Sequence, residues 1–316
     1  MQKLQNQLLL PSPIQRFNFP DGVGAEVNFF LKRDDLIHKH ISGNKWRKLK
    51  YNLLNAEAKK FNTVLTFGGA FSNHLAATVY ACKQVGLKSI GVVRGEEVDL
   101  ENPTMKFVRK NGMEIFPISR EEYNLKTDEG YIQGLHEKFG AFYLIPEGGA
   151  NFYGINGAQE IVTEKPEDFK NIDIVCCSAG TATTISGILA SDLFDFKTLC
   201  FSPFKGGGFL KDEIKKQLLF GFWDEDWVTE KLNSVEVILD YHFGGFGKTK
   251  PELIEFVNWI KEETQIQFDL LYNGKMLFAI HDLCKQGYFS KNQNVMIIHT
   301  GGIQGNAGFE SKISKM

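Results

Sequence analysis

Apolar runs of strand length alternate with stretches of helical spacing along most of the chain. Leu31 to Arg33 close a strand-like run, VNFFLKR, after an irregular N-terminal stretch with a Pro20-Asp21-Gly22 turn. Asp34 to Ile41 read as a charged connector. Trp46, Leu49, Leu53, Leu54 and Ala58 then recur at helical spacing and predict a helix over 46–60. A strand from Thr63 to Phe67, a Gly68-Gly69 turn, a helix from His74 to Val85 stopped at Gly86, and a strand from Ser89 to Val93 form a βαβ unit, which implies a parallel sheet. The alternation continues with helices over 103–111 and 131–139 and strands over 113–117 and 141–145. Beyond a helix at 155–164, Ile172 to Cys177 is uninterrupted apolar sequence, the signature of a parallel strand buried on both faces. Further helices are expected at 185–193, 209–220, 251–264 and 275–285, and strands at 198–201, 235–241 and 295–299.

This pattern defines an α/β fold with mostly parallel sheet, in which ligands gather outside the carboxyl ends of the strands. Chemistry-bearing residues fall at such places. Lys45, in Ser42-Gly43-Asn44-Lys45, stands at a loop-to-helix junction, where helix amides favour anions and burial can lower an amine's pKa. Arg47, Lys48 and Lys50 follow at once and read as a solvated basic face, as does the Lys211 to Lys216 cluster. Ser72-Asn73-His74 open a second helix, with cap chemistry as the plainer reading. Ser178-Ala179-Gly180-Thr181-Ala182-Thr183 is a small-residue loop between a buried strand and a helix, either a phosphate cradle or an ordinary βα turn. It is neither a P-loop nor a dinucleotide fingerprint. Thr300-Gly301-Gly302 turn at the end of the last strand, and His299 reads as a satisfied core histidine.

Composition narrows the field. The 316 residues are 43% hydrophobic, enough for a sizeable core, and a formal net charge of −2 points to neither nucleic acid nor an anionic membrane surface. No apolar run reaches the ~18 residues of a membrane span, and the N-terminal stretch lacks the layout of a signal peptide. The five cysteines are odd in number, lie in apolar surroundings without zinc-ligand spacing, and suit a reducing cytoplasm.

GNKWRKL, GGAFSNH, SAGTATT, LYNGK and HTGG, in this order over about Leu31 to Gly305, resemble the 1-aminocyclopropane-1-carboxylate deaminase / D-cysteine desulfhydrase family. That resemblance implies pyridoxal phosphate as cofactor and the tryptophan synthase β-subunit fold: two open, twisted, mostly parallel sheets flanked by helices. It divides the chain into a smaller mobile domain over 46–154 and a larger cofactor-binding domain over 1–45 and 155–316. By the same resemblance Lys45 carries the cofactor covalently. Asn73 meets its phenolic oxygen, Ala179, Gly180, Thr181, Ala182 and Thr183 hold its phosphate, and Thr300 lies near its pyridine nitrogen. Ser72, Asn73 and His74 receive the substrate carboxylate, with Ser72 also catalytic. Tyr272 stands near the reacting carbon, and Tyr241 approaches the substrate. A hydroxyl at the pyridine nitrogen, in place of an aspartate, is expected to leave that nitrogen less firmly protonated and to favour elimination over transamination.

Two departures bear on the substrate. The aminocyclopropane deaminases have a glutamate where Asn273 stands, and a second active-site tyrosine where the Gly245-Phe246-Gly247 loop offers Phe246. Opening a cyclopropane ring needs closely placed acids and bases. The expected activity is therefore a D-cysteine desulfhydrase-like α,β-elimination in a homodimer of the cytoplasm. The alternatives are aminocyclopropane deamination, D-serine-type dehydration, or a silent cofactor- or amino-acid-binding protein.

Overall fold

The structure, a computed structural model, describes residues 1–309. After a short helix α1 (Gln2–Gln5), β1 (Ile14–Phe17) and β2 (Asn28–Lys32) form an antiparallel pair. Helix α2 (Asn44–Ala58) leads into β3 (Thr63–Gly69), α3 (Asn73–Val85), β4 (Lys88–Arg94), α4 (Pro103–Lys110), β5 (Met113–Ile118), α5 (Arg120–Tyr123), α6 (Glu129–Phe139) and β6 (Tyr143–Ile145). These four strands make a parallel sheet of order β5-β4-β3-β6. The chain continues through α7 (Phe152–Thr163), β7 (Ile174–Ser178), α8 (Thr183–Leu189), β8 (Lys197–Phe201), α9 (Phe209–Phe222), α10 (Glu225–Asn233), β9 (Val235–Ile238), α11 (Pro251–Thr264), α12 (Asn273–Lys285) and β10 (Asn294–Ile298). The second sheet has order β1-β2-β10-β7-β8-β9, parallel except at β1. Two mostly parallel sheets flanked by helices are thus present, as expected. Among the described residues no helix is long and apolar enough to cross a membrane.

Local chemistry explains the boundaries. The Ser72 side chain caps α3 by accepting from the His74 and Leu75 amides at 3.2 and 3.3 Å, and Gly86 ends the helix in a left-handed conformation. Asn102, with Pro103 in the first turn, starts α4, and Asp128, Asn151 and Asp224 cap α6, α7 and α10. Strand β7 is buried on both faces, as its apolar run requires. Ile174 and Cys176 pack with α11 and α12, whereas Val175 and Cys177 pack with α7, α8, α9 and α10. Four elements are additions to the sequence reading, the short helices α1 and α5, the edge strand β1 and helix α10, while the strand expected over 235–241 ends at Ile238.

The basic run after Lys45 is not a solvated face. Arg47 and Lys48 are buried. Arg47 is held by Asp34 (Nη2–Oδ1 2.9 Å) and Glu164 (Nη2–Oε1 2.7 Å), and Lys32 reaches the same Glu164 oxygen at 2.6 Å. The backbone of α2 at Arg47 lies so close to α7 that a Cβ on Gly157 would collide with the Arg47 carbonyl. This packing fixes the start of α2, and so Lys45. The Lys211 to Lys216 cluster on α9 is exposed.

Candidate active site

A cavity of about 400 Å³ opens where the carboxyl ends of β3, β4, β6, β7 and β10 converge. Lys45 lines it from the first turn of α2. Its Nζ donates to Asn44 Oδ1 at 2.8 Å, and Asn44 is steadied in turn by donating to Thr184 Oγ1 at 3.0 Å. Burial lowers the Lys45 pKa from 10.5 to about 8, partly opposed by the negative charge of Asp269. The amine is therefore a usable nucleophile or base near neutral pH.

The opposite wall is the β3–α3 loop, Gly69 to His74. Gly68 must lack a side chain there, because a Cβ would meet Ser72 and Leu75 atoms at 2.7 Å. Asn73 donates to the Gly302 carbonyl at 3.1 Å, and its buried Oδ1 has no partner among the described residues. The Thr66 hydroxyl gives its proton to the Ile145 carbonyl at 2.7 Å, so at 2.9 Å it accepts from His74 Nε2–H. Burial, with Lys45 and Lys48 nearby, lowers the His74 pKa to about 3. His74 is accordingly a neutral structural donor.

The floor is the loop after β7. Ser178, Gly180 and Thr181 line the cavity, and Ala182 takes a left-handed conformation (φ 60°). The Ala179 amide is spent on the Phe201 carbonyl and the Thr183 amide on the Thr181 carbonyl. Among the described residues, no acceptor takes the amides of Gly180, Thr181 and Ala182. The Ser178 hydroxyl is buried without a partner among the described residues. Lys48 lines the same region and has no carboxylate partner among the described residues; burial and the charge of Lys45 push its pKa well down. Loop and lysine together are a cradle for a phosphate-sized anion.

Tyr272 closes the cavity beside this loop, so that a Cβ on Gly180 would stand 3.3 Å from its phenol oxygen. Burial, then the negative charges of Asp269 and Glu147, raise its pKa and keep the phenol protonated. Phe246 lies against it, ring centroids 5.8 Å apart. Thr300, Gly301 and Gly302 complete the lining.

The cavity thus collects Lys45, Ser72, Asn73, His74, Gly180, Thr181, Tyr272 and Thr300, with Ala179, Ala182 and Thr183 as the loop's scaffold. Tyr241 is the exception. The chain leaves β9 at Ile238, and the Tyr241 hydroxyl donates to Asp282 on α12 at 2.7 Å, so Tyr241 does not line the cavity. Asn273 is also absent from the lining. His299 is fully buried and bonded through Nε2 to the Gln267 carbonyl at 2.9 Å. Sequence reasoning missed Lys48, Arg94 and Glu147 as lining residues, while Ser178 lay at the head of the loop it had singled out. Lys48 carried a readable signal, because three residues after Lys45 it shares that residue's helix face.

Comparison with known proteins agrees with this geometry. The family of pyridoxal-phosphate dependent enzymes matches residues 6–191. The bifunctional D-cysteine desulfhydrase/1-aminocyclopropane-1-carboxylate deaminase of Arabidopsis thaliana, described as mitochondrial, is 31% identical over 94% of this chain and 77% of its own. The crystal structure of an aminocyclopropane deaminase homologue superposes with a TM-score of 0.80 at 27% identity, covering 98% of this chain and 94% of that one. O-ureido-L-serine synthase, at 14% identity and a TM-score of 0.71 over 100% of this chain and 95% of its own, shares the fold. The chain belongs to the pyridoxal-phosphate-dependent enzymes. Among them it is an enzyme of the 1-aminocyclopropane-1-carboxylate deaminase/D-cysteine desulfhydrase type.

Proposed function

We propose that this enzyme is a lyase that removes a β-leaving group from a small D-amino acid, in the manner of a D-cysteine desulfhydrase, releasing a keto acid, ammonia and sulfide. The supporting observation is the acid–base inventory of the cavity. Asn273 stands outside it, and Phe246 offers a ring without a hydroxyl, so neither position supplies an acid or base for opening a cyclopropane.

The unspent groups fit pyridoxal phosphate. Lys45 would hold it covalently, the second N–H of Asn73 Nδ2 would donate to its phenolic oxygen, and Thr300 would face its ring nitrogen. The amides of Gly180, Thr181 and Ala182, with Ser178 and Lys48, would receive its phosphate. When bound, the cofactor supplies an electron sink for charge developing at the substrate Cα.

The chain's own groups do the rest. Lys45, its amine drawn down to about 8, takes the proton from Cα. Ser72 Oγ already accepts from two amides, so its proton is free for the substrate carboxylate at the start of α3. The Tyr272 phenol, kept protonated, hands a proton to the departing sulfur. We infer further that residues 46–154 close over the substrate as a mobile unit.

The test is a visible spectrum of the holoenzyme during addition of D-cysteine, with sulfide and pyruvate assayed. A shift of the cofactor band with both products formed is expected. An unchanged band with D-cysteine, together with turnover of aminocyclopropane carboxylate, would reverse the proposal.

A further inference from the structure

Asn273 controls which way the Thr300 hydroxyl points its proton. The asparagine lies at the start of α12 and is fully buried, and its amide uses every hydrogen-bonding position it has. Nδ2 donates to Asp269 Oδ2 at 2.5 Å and to the Gly301 carbonyl at 2.8 Å. Oδ1 accepts from the Thr300 amide at 3.1 Å and from Thr300 Oγ1 at 3.0 Å. The reversed amide is excluded, because it would set Nδ2 against the Thr300 N–H and Oδ1 against a carboxylate and a carbonyl.

Asp269 is fixed just as firmly. Its two oxygens accept the backbone amides of Leu271, Tyr272 and Asn273 as well as Asn273 Nδ2. The relay therefore runs one way, from helix amides to Asp269, to Asn273, to Thr300. A threonine hydroxyl has one proton, and here it is given to Asn273. What remains for the cavity, which Thr300 lines, is lone pairs.

We propose that Asn273 is a positioning residue that makes Thr300 an obligate acceptor, so that pyridoxal phosphate is bound with its ring nitrogen protonated. This rests on the reading that Thr300 faces that nitrogen. An unprotonated nitrogen would confront oxygen lone pairs with its own, whereas a protonated one completes a hydrogen bond. A hydroxyl in this position, taken alone, suggests loose protonation; the locked rotor reverses that expectation. The network makes a neutral hydroxyl discriminate between protonation states as a carboxylate does, without placing a charge against the ring.

The test is nitrogen NMR of the holoenzyme reconstituted with pyridoxal phosphate labelled at the ring nitrogen. The wild-type signal is expected in the pyridinium range. Asn273→Ala frees the hydroxyl to donate, and its signal should move toward unprotonated pyridine. A wild-type signal already at the unprotonated position overturns the proposal, and this measurement stands even if the variant does not fold. A pyridinium signal unaltered in folded Asn273→Ala also overturns it. Thr300→Val separates the underlying reading: a signal indifferent to loss of Oγ1 shows that Thr300 is not at the ring nitrogen, whereas a signal that moves keeps that placement and leaves Asn273 as the residue judged.

Discussion

Arg47 grips Asp34 with two parallel hydrogen bonds, Nε to Oδ2 at 3.1 Å and Nη2 to Oδ1 at 2.9 Å, and both side chains are fully buried. The pair pins the connector after β2 to the first turn of α2, two residues beyond Lys45. Burial opposes the charge on Arg47, but Asp34 and Glu164 outweigh it and raise its pKa. Cutting one partner from such a network strands the others. Arg47→Ala should therefore lose about 3–5 kcal/mol of stability, read by denaturant unfolding. Arg47→Lys, which cannot form the fork, should recover only part of it.

Glu164 gives the network a defined acid limit. Burial alone would raise its pKa, but the hydrogen bonds and charge of Arg47 and the charge of Lys32 lower it from 4.5 to about 2. Between those values the unfolded chain holds the extra proton, so the stabilisation is complete above pH 4.5 and is lost as pH falls toward 2. Urea unfolding across this range should show a steep decline in the wild type and a flatter one in Glu164→Gln.

For Lys45 the sign is that of a base made weaker by folding. Between about 8 and 10.5 the unfolded chain binds more protons at this position, so the contribution of Lys45 to the stability of the cofactor-free protein rises with pH across that window. Lys45→Met should remove this contribution and leave those of Lys275, whose amine burial also lowers to about 8, and of Lys48. Capture of pyridoxal phosphate by the cofactor-free protein should quicken with pH and level off above about 8, as the neutral amine becomes the main form. A flat capture rate from pH 6 to 9 would contradict a lysine held in this state.

Lys48 should matter to the phosphate and not to the ring. If it supplies one charge-assisted contact, Lys48→Met costs about 1.5–3 kcal/mol, roughly 10- to 100-fold in affinity. Equilibrium binding by fluorescence should show that loss for pyridoxal phosphate and almost none for pyridoxal. Equal losses for both would place Lys48 elsewhere.

Gly43 allows the closest approach in the site. It sits at φ 60°, and a Cβ there would collide with the Thr300 carbonyl oxygen. Gly43→Ala must push apart the helix bearing Lys45 and the turn bearing Thr300. It should weaken cofactor binding more than tenfold while leaving the helical circular dichroism in place.

The sequence made the architecture legible because strand and helix periods are local properties. Continuous apolar runs at 172–177 and 295–299 marked the buried strands, and glycines such as Gly86 marked helix ends. β1 escaped because it is a four-residue edge strand with two exposed positions close to two prolines. α10 escaped because Val228 and Leu232 are its only buried residues. Charge was the harder matter. Nothing local to RKLK says that Arg47 will meet Asp34 and Glu164, or that Lys48 will be buried without a counter-charge, since these depend on partners up to 117 residues away. Tyr241 was misplaced for the same reason: proximity in sequence to a glycine loop does not tell where a tyrosine's hydroxyl finds its acceptor.

β10 lies between β2 and β7 in the middle of the larger sheet, and its following turn meets the start of α2, where the Asn44 amide donates to the Thr300 carbonyl at 3.3 Å. The lysine is therefore synthesised early and its setting last. While the ribosome is still making residues before Asn294, the central slot of the sheet is open and Lys45 has neither its neighbouring turn nor its enclosure. Nascent chains stalled short of that strand should capture no cofactor, which makes loading a quality mark of the finished polypeptide and leaves an exposed pair of sheet edges for chaperones to guard until release.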